Sequence, residues 1–163
     1  MLNCYAVLAD ALRAYFLLST AYCLKLLPIA LIIMHDYHAT VFQNGTATFM
    51  ARIVDFNGVY IKQSDVDSIT YSVYLLRENA PEARTAILGR SNVELNVSDV
   101  LFNQLQKNPH WTEDDKGFNF CWTLKVTDRT GSPFSLAGRH YLVEIKLVAK
   151  SVPFLVRYRL FVM

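Results

Sequence analysis

The chain has 163 residues, 53% of them hydrophobic and 18% charged, with a formal net charge of +2. A charged fraction below the usual roughly 25%, with an aromatic fraction of 13%, excludes a disordered, collagen-like or coiled-coil protein. The near-neutral balance speaks against a nucleic-acid binder with a basic face, and three cysteines, an odd number, cannot complete a disulfide framework.

Mean hydropathy is positive, and the apolar excess is local to the N-terminus. Residues 1–33 hold only three charges, Asp10, Arg13 and Lys25. The run 14–33, AYFLLSTAYCLKLLPIALII, has about the 20 residues a bilayer span needs and predicts an apolar N-terminal helix. Lys25 inside it costs roughly 2.5–3.5 kcal/mol on insertion, and Pro28 kinks or ends a helix. The first twelve residues have no Lys or Arg, and no small-x-small site follows the run, so a secretory signal peptide fits poorly. Three readings stand for this segment. It is a membrane anchor, or a helix buried against a partner or the domain, or an extension ahead of a translation start at Met34. The first makes the protein membrane-anchored; the third makes it cytoplasmic or virion-associated. The chain divides accordingly into 1–33 and a β-sandwich domain at 40–163.

Beyond Met34 the apolar period is two. In Thr46–Val54, Ala47, Phe49, Ala51 and Ile53 alternate with polar residues; in Ser68–Leu76, Ile69, Tyr71, Val73 and Leu75 share one face. Val93, Leu95 and Val97 repeat the pattern briefly. Ser98 or Asp99 caps a predicted short helix over Val100–Gln106. Lys107–Lys116 reads as an irregular loop. Phe118, Phe120, Trp122, Leu124 and Val126 form the strongest run, followed by Tyr141–Leu147 and Phe154–Val162. Asn44-Gly45, Asn57-Gly58, Thr130-Gly131-Ser132-Pro133 and Ala137-Gly138 mark turns, and Lys150–Pro153 a hairpin of undetermined turn type. The fold expected is all-β. It is an antiparallel immunoglobulin-like β-sandwich of six to seven strands with one short helix.

Gly138-Arg139-His140-Tyr141-Leu142-Val143-Glu144-Ile145 resembles the penultimate strand of immunoglobulin-like modules. The resemblance implies a corner tyrosine at Tyr141 whose hydroxyl bonds nearby backbone. Only Cys121 lies in the sandwich, so the immunoglobulin cysteine pair is missing and the likeness is to the fibronectin or bacterial type. Ala47–Val54, Asp55-Phe56-Asn57-Gly58 and Ile69–Tyr74 are together similar to sandwich domains of phage tail and baseplate proteins. Residues 40–163, with Gly117-Phe118-Asn119-Phe120 and Phe154–Tyr158, resemble uncharacterised small bacterial proteins, some of them prophage-associated. Neither resemblance carries catalytic residues.

The search for chemistry assigns no catalytic, cofactor-binding or metal-binding residue. There is no phosphate loop, nucleophile elbow or H-E-x-x-H helix. His35, Asp36 and His38 lack a fourth ligand for zinc and read as a solvated terminus. In the loop, Trp111 reads as a cover for the sandwich end, and the acidic run Glu113, Asp114, Asp115 lacks EF-hand spacing for calcium. Cys121 falls opposite Phe120 and Trp122 with no base beside it. Arg157 and Arg159, with Lys146 and Lys150, read as a solubilising outer stripe. The function expected is therefore a non-enzymatic structural or interaction module, in its most concrete form a phage- or prophage-type virion assembly component. Its partner is another protein or further copies of itself, not nucleic acid, and it needs no cofactor. The alternative is a membrane-anchored extracytoplasmic binding domain, with residues 14–33 touching the membrane.

Overall fold

The structure is a computed structural model describing residues 34–163 except 79 and 127–130. The apolar segment 1–33, with its predicted helix, lies outside the described residues. The described residues belong to one compact unit. Its strands are β1 Met34–Val41, β2 Ala47–Ala51, β3 Val66–Arg77, β4 Ala80–Ala86, β5 Val93–Leu95, β6 Leu101–Gln106, β7 Phe118–Leu124, β8 His140–Ala149 and β9 Val152–Val162. They form two sheets. The larger runs β1-β9-β8-β3-β4, with β5 pairing the first half of β3, and the smaller runs β2-β7-β6.

The chain is all-β, as expected, and three details differ. The described residues hold nine strands rather than six or seven, because β1, β4 and β6 add to the periodic runs. The larger sheet is mixed rather than antiparallel: β1 lies parallel to β9, with Tyr37 beside Tyr158 and Val41 beside Val162. The predicted helix Val100–Gln106 is instead a single helical turn, Val97–Val100, followed by strand β6. Asn96, not Ser98 or Asp99, caps that turn, its Oδ1 accepting from the Ser98 N–H at 3.4 Å. Pairing decides this segment. Leu101 is fully buried opposite Phe120, and without β6 the smaller sheet would keep two strands, too few to stand alone. β1 begins at Met34, so the stretch before residue 40 belongs to the sheet.

The alternating residues face each other across the sandwich. Tyr141, Val143, Ile145 and Leu147 of β8 and Val156, Tyr158, Leu160 and Val162 of β9 are buried against Phe49, Phe120 and Leu124 of the smaller sheet. Aromatic rings bridge the two layers, Phe49 to Tyr158 at 4.8 Å and Tyr71 to Trp122 at 4.3 Å between centroids. Each such side chain contributes roughly 1.5–3 kcal/mol by leaving water. The β8–β9 hairpin turns in two residues, Lys150 and Ser151, with φ of 49° and 66°. Two consecutive positive φ values are the mark of a type I′ turn, the one that suits strand twist. Asp65 and Asp67 hold it without a glycine: the Lys150 ammonium sits 3.0 Å from Asp65, and Asp67 accepts from the Ser151 N–H at 3.0 Å.

Asn119 departs from its outward phase. Alternation places it opposite Phe118 and Phe120, yet it has no exposed surface. The excursion 53–61 folds over it. Its Oδ1 accepts from the Ile53 N–H at 2.7 Å, and its Nδ2 donates to the carbonyls of Ile53 at 3.0 Å and Ile61 at 2.9 Å.

Candidate functional site: an open side between two edge strands

Among the described residues β1 ends the larger sheet and β2 ends the smaller one. The turn from Phe42 to Thr46 joins them, closed by the Gly45 N–H on the Phe42 carbonyl at 2.8 Å. The two sheets therefore part along one side, and a cleft of about 310 Å³ lies between their edges. Tyr37, Phe49 and Tyr158 line its depth, and His110, Trp111 and Glu113 its outer wall.

Backbone phase sets what each edge offers. The Val41 carbonyl accepts from the Met163 N–H at 2.9 Å, and the Gln43 N–H donates to the Met163 carbonyl at 2.7 Å. Odd-numbered residues of β1 thus bond β9, and Asp36, His38 and Thr40 turn their peptide groups to the open side. On β2, the Met50 carbonyl takes the Tyr158 hydroxyl at 2.9 Å. Met50, and Thr48 two residues before it, therefore face away from β7.

The aromatic depth is a stack of rings. Tyr37 stacks on Tyr158 with centroids 5.0 Å apart and planes 17° from parallel. Burial pushes the Tyr158 phenol well above its ordinary range, with the Tyr37 phenol adding to it. Burial, and then the Glu113 carboxylate, raise Tyr37. Both stay neutral hydroxyls at physiological pH, so the depth of the cleft is apolar with two polar tips.

Asp114 builds the wall. Its Oδ1 accepts from the Trp111 indole N–H at 3.1 Å and from the backbone N–H of Lys116 and Gly117 at 3.0 and 3.2 Å, while its other oxygen pairs with the Arg52 guanidinium. Trp111 lies half-buried with its ring 5.7 Å from Phe118 at the start of β7. The Trp111 bond above all, then Arg52 and the two backbone donors, hold the Asp114 carboxyl down from 3.8 to about 2. A depressed carboxyl stabilises the native loop above its ordinary value, and that contribution is lost as pH falls through the native value. The wall is therefore expected to hold from neutrality to about pH 4 and to loosen from there down to about pH 2. Trp111 emission, isolated by comparison with Trp111→Phe, reads this. A red shift confined to that window is the expected result, and flat emission to pH 2 overturns it.

The remaining singled-out residues take other places. His38 and His110 are exposed at the cleft rim, whereas His140 lies on the outer face of the larger sheet, 5.1 Å from the Phe161 ring. Among the described residues no group of three His, Cys, Asp or Glu side chains is placed to hold a metal ion. Cys121 is half-buried opposite Met50, and burial raises its thiol pKa, away from the thiolate a nucleophile needs. The basic stripe is interleaved with carboxylates. Glu144 takes both Arg157 and Arg84 at 3.0 Å, and Asp36 lies 3.9 Å from Arg159. Among the described residues no helix is long and apolar enough to cross a membrane. Sequence reasoning missed Tyr37, Met50 and Asn119, although Tyr37, Ala39 and Val41 do alternate with Asp36, His38 and Thr40.

No family model and no curated protein matches the chain. Among solved structures, one of a 2,6-sialyltransferase from Photobacterium sp. JT-ISH-224, bound to CMP and lactose, is similar at a TM-score of 0.34 and 12% identity. The likeness covers 82% of this chain and 18% of that one. At that score it bears on neither the fold nor the function of this chain.

Proposed function

We propose that the chain is a non-enzymatic interaction module that takes an extended polypeptide segment along the open edges of β1 and β2. The observation that carries this reading is the convergence on one aromatic-lined cleft of two edges that no other described strand pairs. Edge peptide groups supply hydrogen bonds to any strand, and a pocket beside them selects the side chain. Soluble proteins ordinarily blunt such edges. The state of the reactive groups supports the non-enzymatic half: the Cys121 thiol is held up by burial, and Asp114 is occupied by donors of its own loop.

We read the sandwich as immunoglobulin-like, of the kind without a cysteine pair. The Tyr141 hydroxyl, which accepts from the Leu136 N–H at 3.2 Å, supports this as a local backbone bond at the corner position. The most concrete form of the module is a phage- or prophage-type virion assembly component, supported by the resemblance carried by Ala47–Val54, Asp55–Gly58 and Ile69–Tyr74.

A displayed library of random linear peptides tests the reading. Selected peptides are expected to shift the backbone amide resonances of Asp36, His38, Thr40, Thr48 and Met50. Thr48→Pro removes one edge N–H and spares the backbone ladder to β7, proline being tolerated on an edge, and Thr48→Val, which loses only the hydroxyl bond to Thr123 at 3.0 Å, is its control. The proline variant is expected to weaken binding about tenfold, the worth of one hydrogen bond of about 1.4 kcal/mol. Peptides that shift other amides only, or that bind Thr48→Pro equally well, overturn the proposal.

A further inference from the structure

The excursion 53–61 is held far more firmly than an ordinary surface loop. Asn119 clamps its base with three hydrogen bonds from a fully buried position. Asp55 clamps its tip: Oδ1 accepts from the N–H of Asn57 at 2.8 Å and Val59 at 2.9 Å, and the Asp55 carbonyl accepts from Gly58 at 3.0 Å. Gly58 takes φ of 79°, which only glycine adopts freely, and so closes the turn. What this scaffold displays is apolar. Phe56 is 79% exposed and Val59 57%, and Val152 of the neighbouring hairpin is 46% exposed.

A groove of about 310 Å³ opens at the Phe56 knob, which forms part of its lining with Val59, Tyr60, Ile61, Val152 and Phe154. Knob and groove therefore share one face. The groove's lining carries both signs, Asp55 and Asp65 against Lys150. A twofold interface requires a surface complementary to itself, in which residue i of one copy meets j of the other and j meets i. A knob beside a groove, lined by opposite charges, meets that requirement. Fixing the backbone that presents an aromatic side chain ahead of contact also lowers the ordering cost of binding.

We infer that the 53–61 excursion and the β8–β9 hairpin form an isologous contact with a second copy of this chain, each Phe56 entering the groove of the other. This surface is separate from the β1–β2 cleft, so either can stand without the other. One knob and one groove per copy supply few anchors, and a reversible dimer with a dissociation constant in the micromolar range is expected. Sedimentation equilibrium of the full chain, wild type against Phe56→Asp, Val152→Asp and Leu88→Asp, is the test. Leu88 is 95% exposed elsewhere and serves as a control for general stickiness. Phe56→Asp and Val152→Asp should each weaken the dimer at least about tenfold at unchanged Tm, and Leu88→Asp should leave it intact. A wild type that stays monomeric to about 0.5 mM, a dimer indifferent to both patch variants, or an equal effect of Leu88→Asp overturns the inference.

Discussion

Replacing Asn119 with alanine is expected to lower stability by about 3–4 kcal/mol and the melting temperature by roughly 10–15 °C. The accounting follows from its three bonds. The Ile53 carbonyl keeps a second donor, the Ile61 N–H at 3.0 Å, and so is not orphaned. The Ile53 N–H and the Ile61 carbonyl lose their Asn119 partner, and each unsatisfied buried group costs about 1–3 kcal/mol. The void left by the amide adds a smaller term. Asn119→Leu separates the two contributions, because leucine fills the volume and restores no bond. Thermal melts should find it nearly as damaged as Asn119→Ala. A leucine variant within about 1 kcal/mol of wild type would show that packing, not hydrogen bonding, is what Asn119 supplies. The same substitution releases the base of the excursion that carries Phe56, so self-association should weaken along with stability.

Asn119 also shows where sequence reading stops. Alternation identified the strand and its buried face, because burial of one face imposes a period of two. It assigned Asn119 to the solvent face, since nothing in a strand's own pattern reveals a loop folding over it. Ile53 and Ile61, two apolar residues bracketing a D-F-N-G turn, were the available signal. The missed strands fail for related reasons. β4, Ala-Pro-Glu-Ala-Arg-Thr-Ala, is a sheet edge whose described side chains are largely in water, so no alternation is imposed on it. β6, Leu-Phe-Asn-Gln-Leu-Gln, is the polar edge of the smaller sheet, and its composition suits a helix until pairing with β7 is taken into account. β1 carries legible alternation, but its parallel partner is the last strand of the chain, and pairing between distant segments leaves no local mark. The cleft inherits this limit. Its two walls are edges, and an edge is defined by which strands are absent beside it.

Gly117→Ala is expected to cost about 3–4 kcal/mol, an effect comparable with the loss of Asn119. Gly117 has φ of 98°, outside the range an L-residue adopts without strain. A left-handed backbone costs a non-glycine residue roughly 1–2 kcal/mol before any contact is considered. Here a Cβ would also run into the Gln106 carbonyl oxygen, which belongs to β6 and cannot swing aside as a flexible side chain would. Relief requires the β6–β7 junction to shift, which carries a strain typical of overpacked sites, about 1–3 kcal/mol. The consequence reaches the cleft, because the Gly117 N–H is one of the donors that fix Asp114, and Asp114 in turn fixes Trp111. Gly117→Ala should therefore show a red-shifted Trp111 emission at neutral pH, the state wild type reaches only on acidification, together with a melting temperature lowered by roughly 10 °C or more. Peptide binding at the β1–β2 cleft should weaken in the same variant, since Trp111 and Glu113 form its outer wall. An alanine variant that melts with wild type and keeps its emission would mean that the β6–β7 junction yields freely, and that the cleft wall does not depend on Gly117.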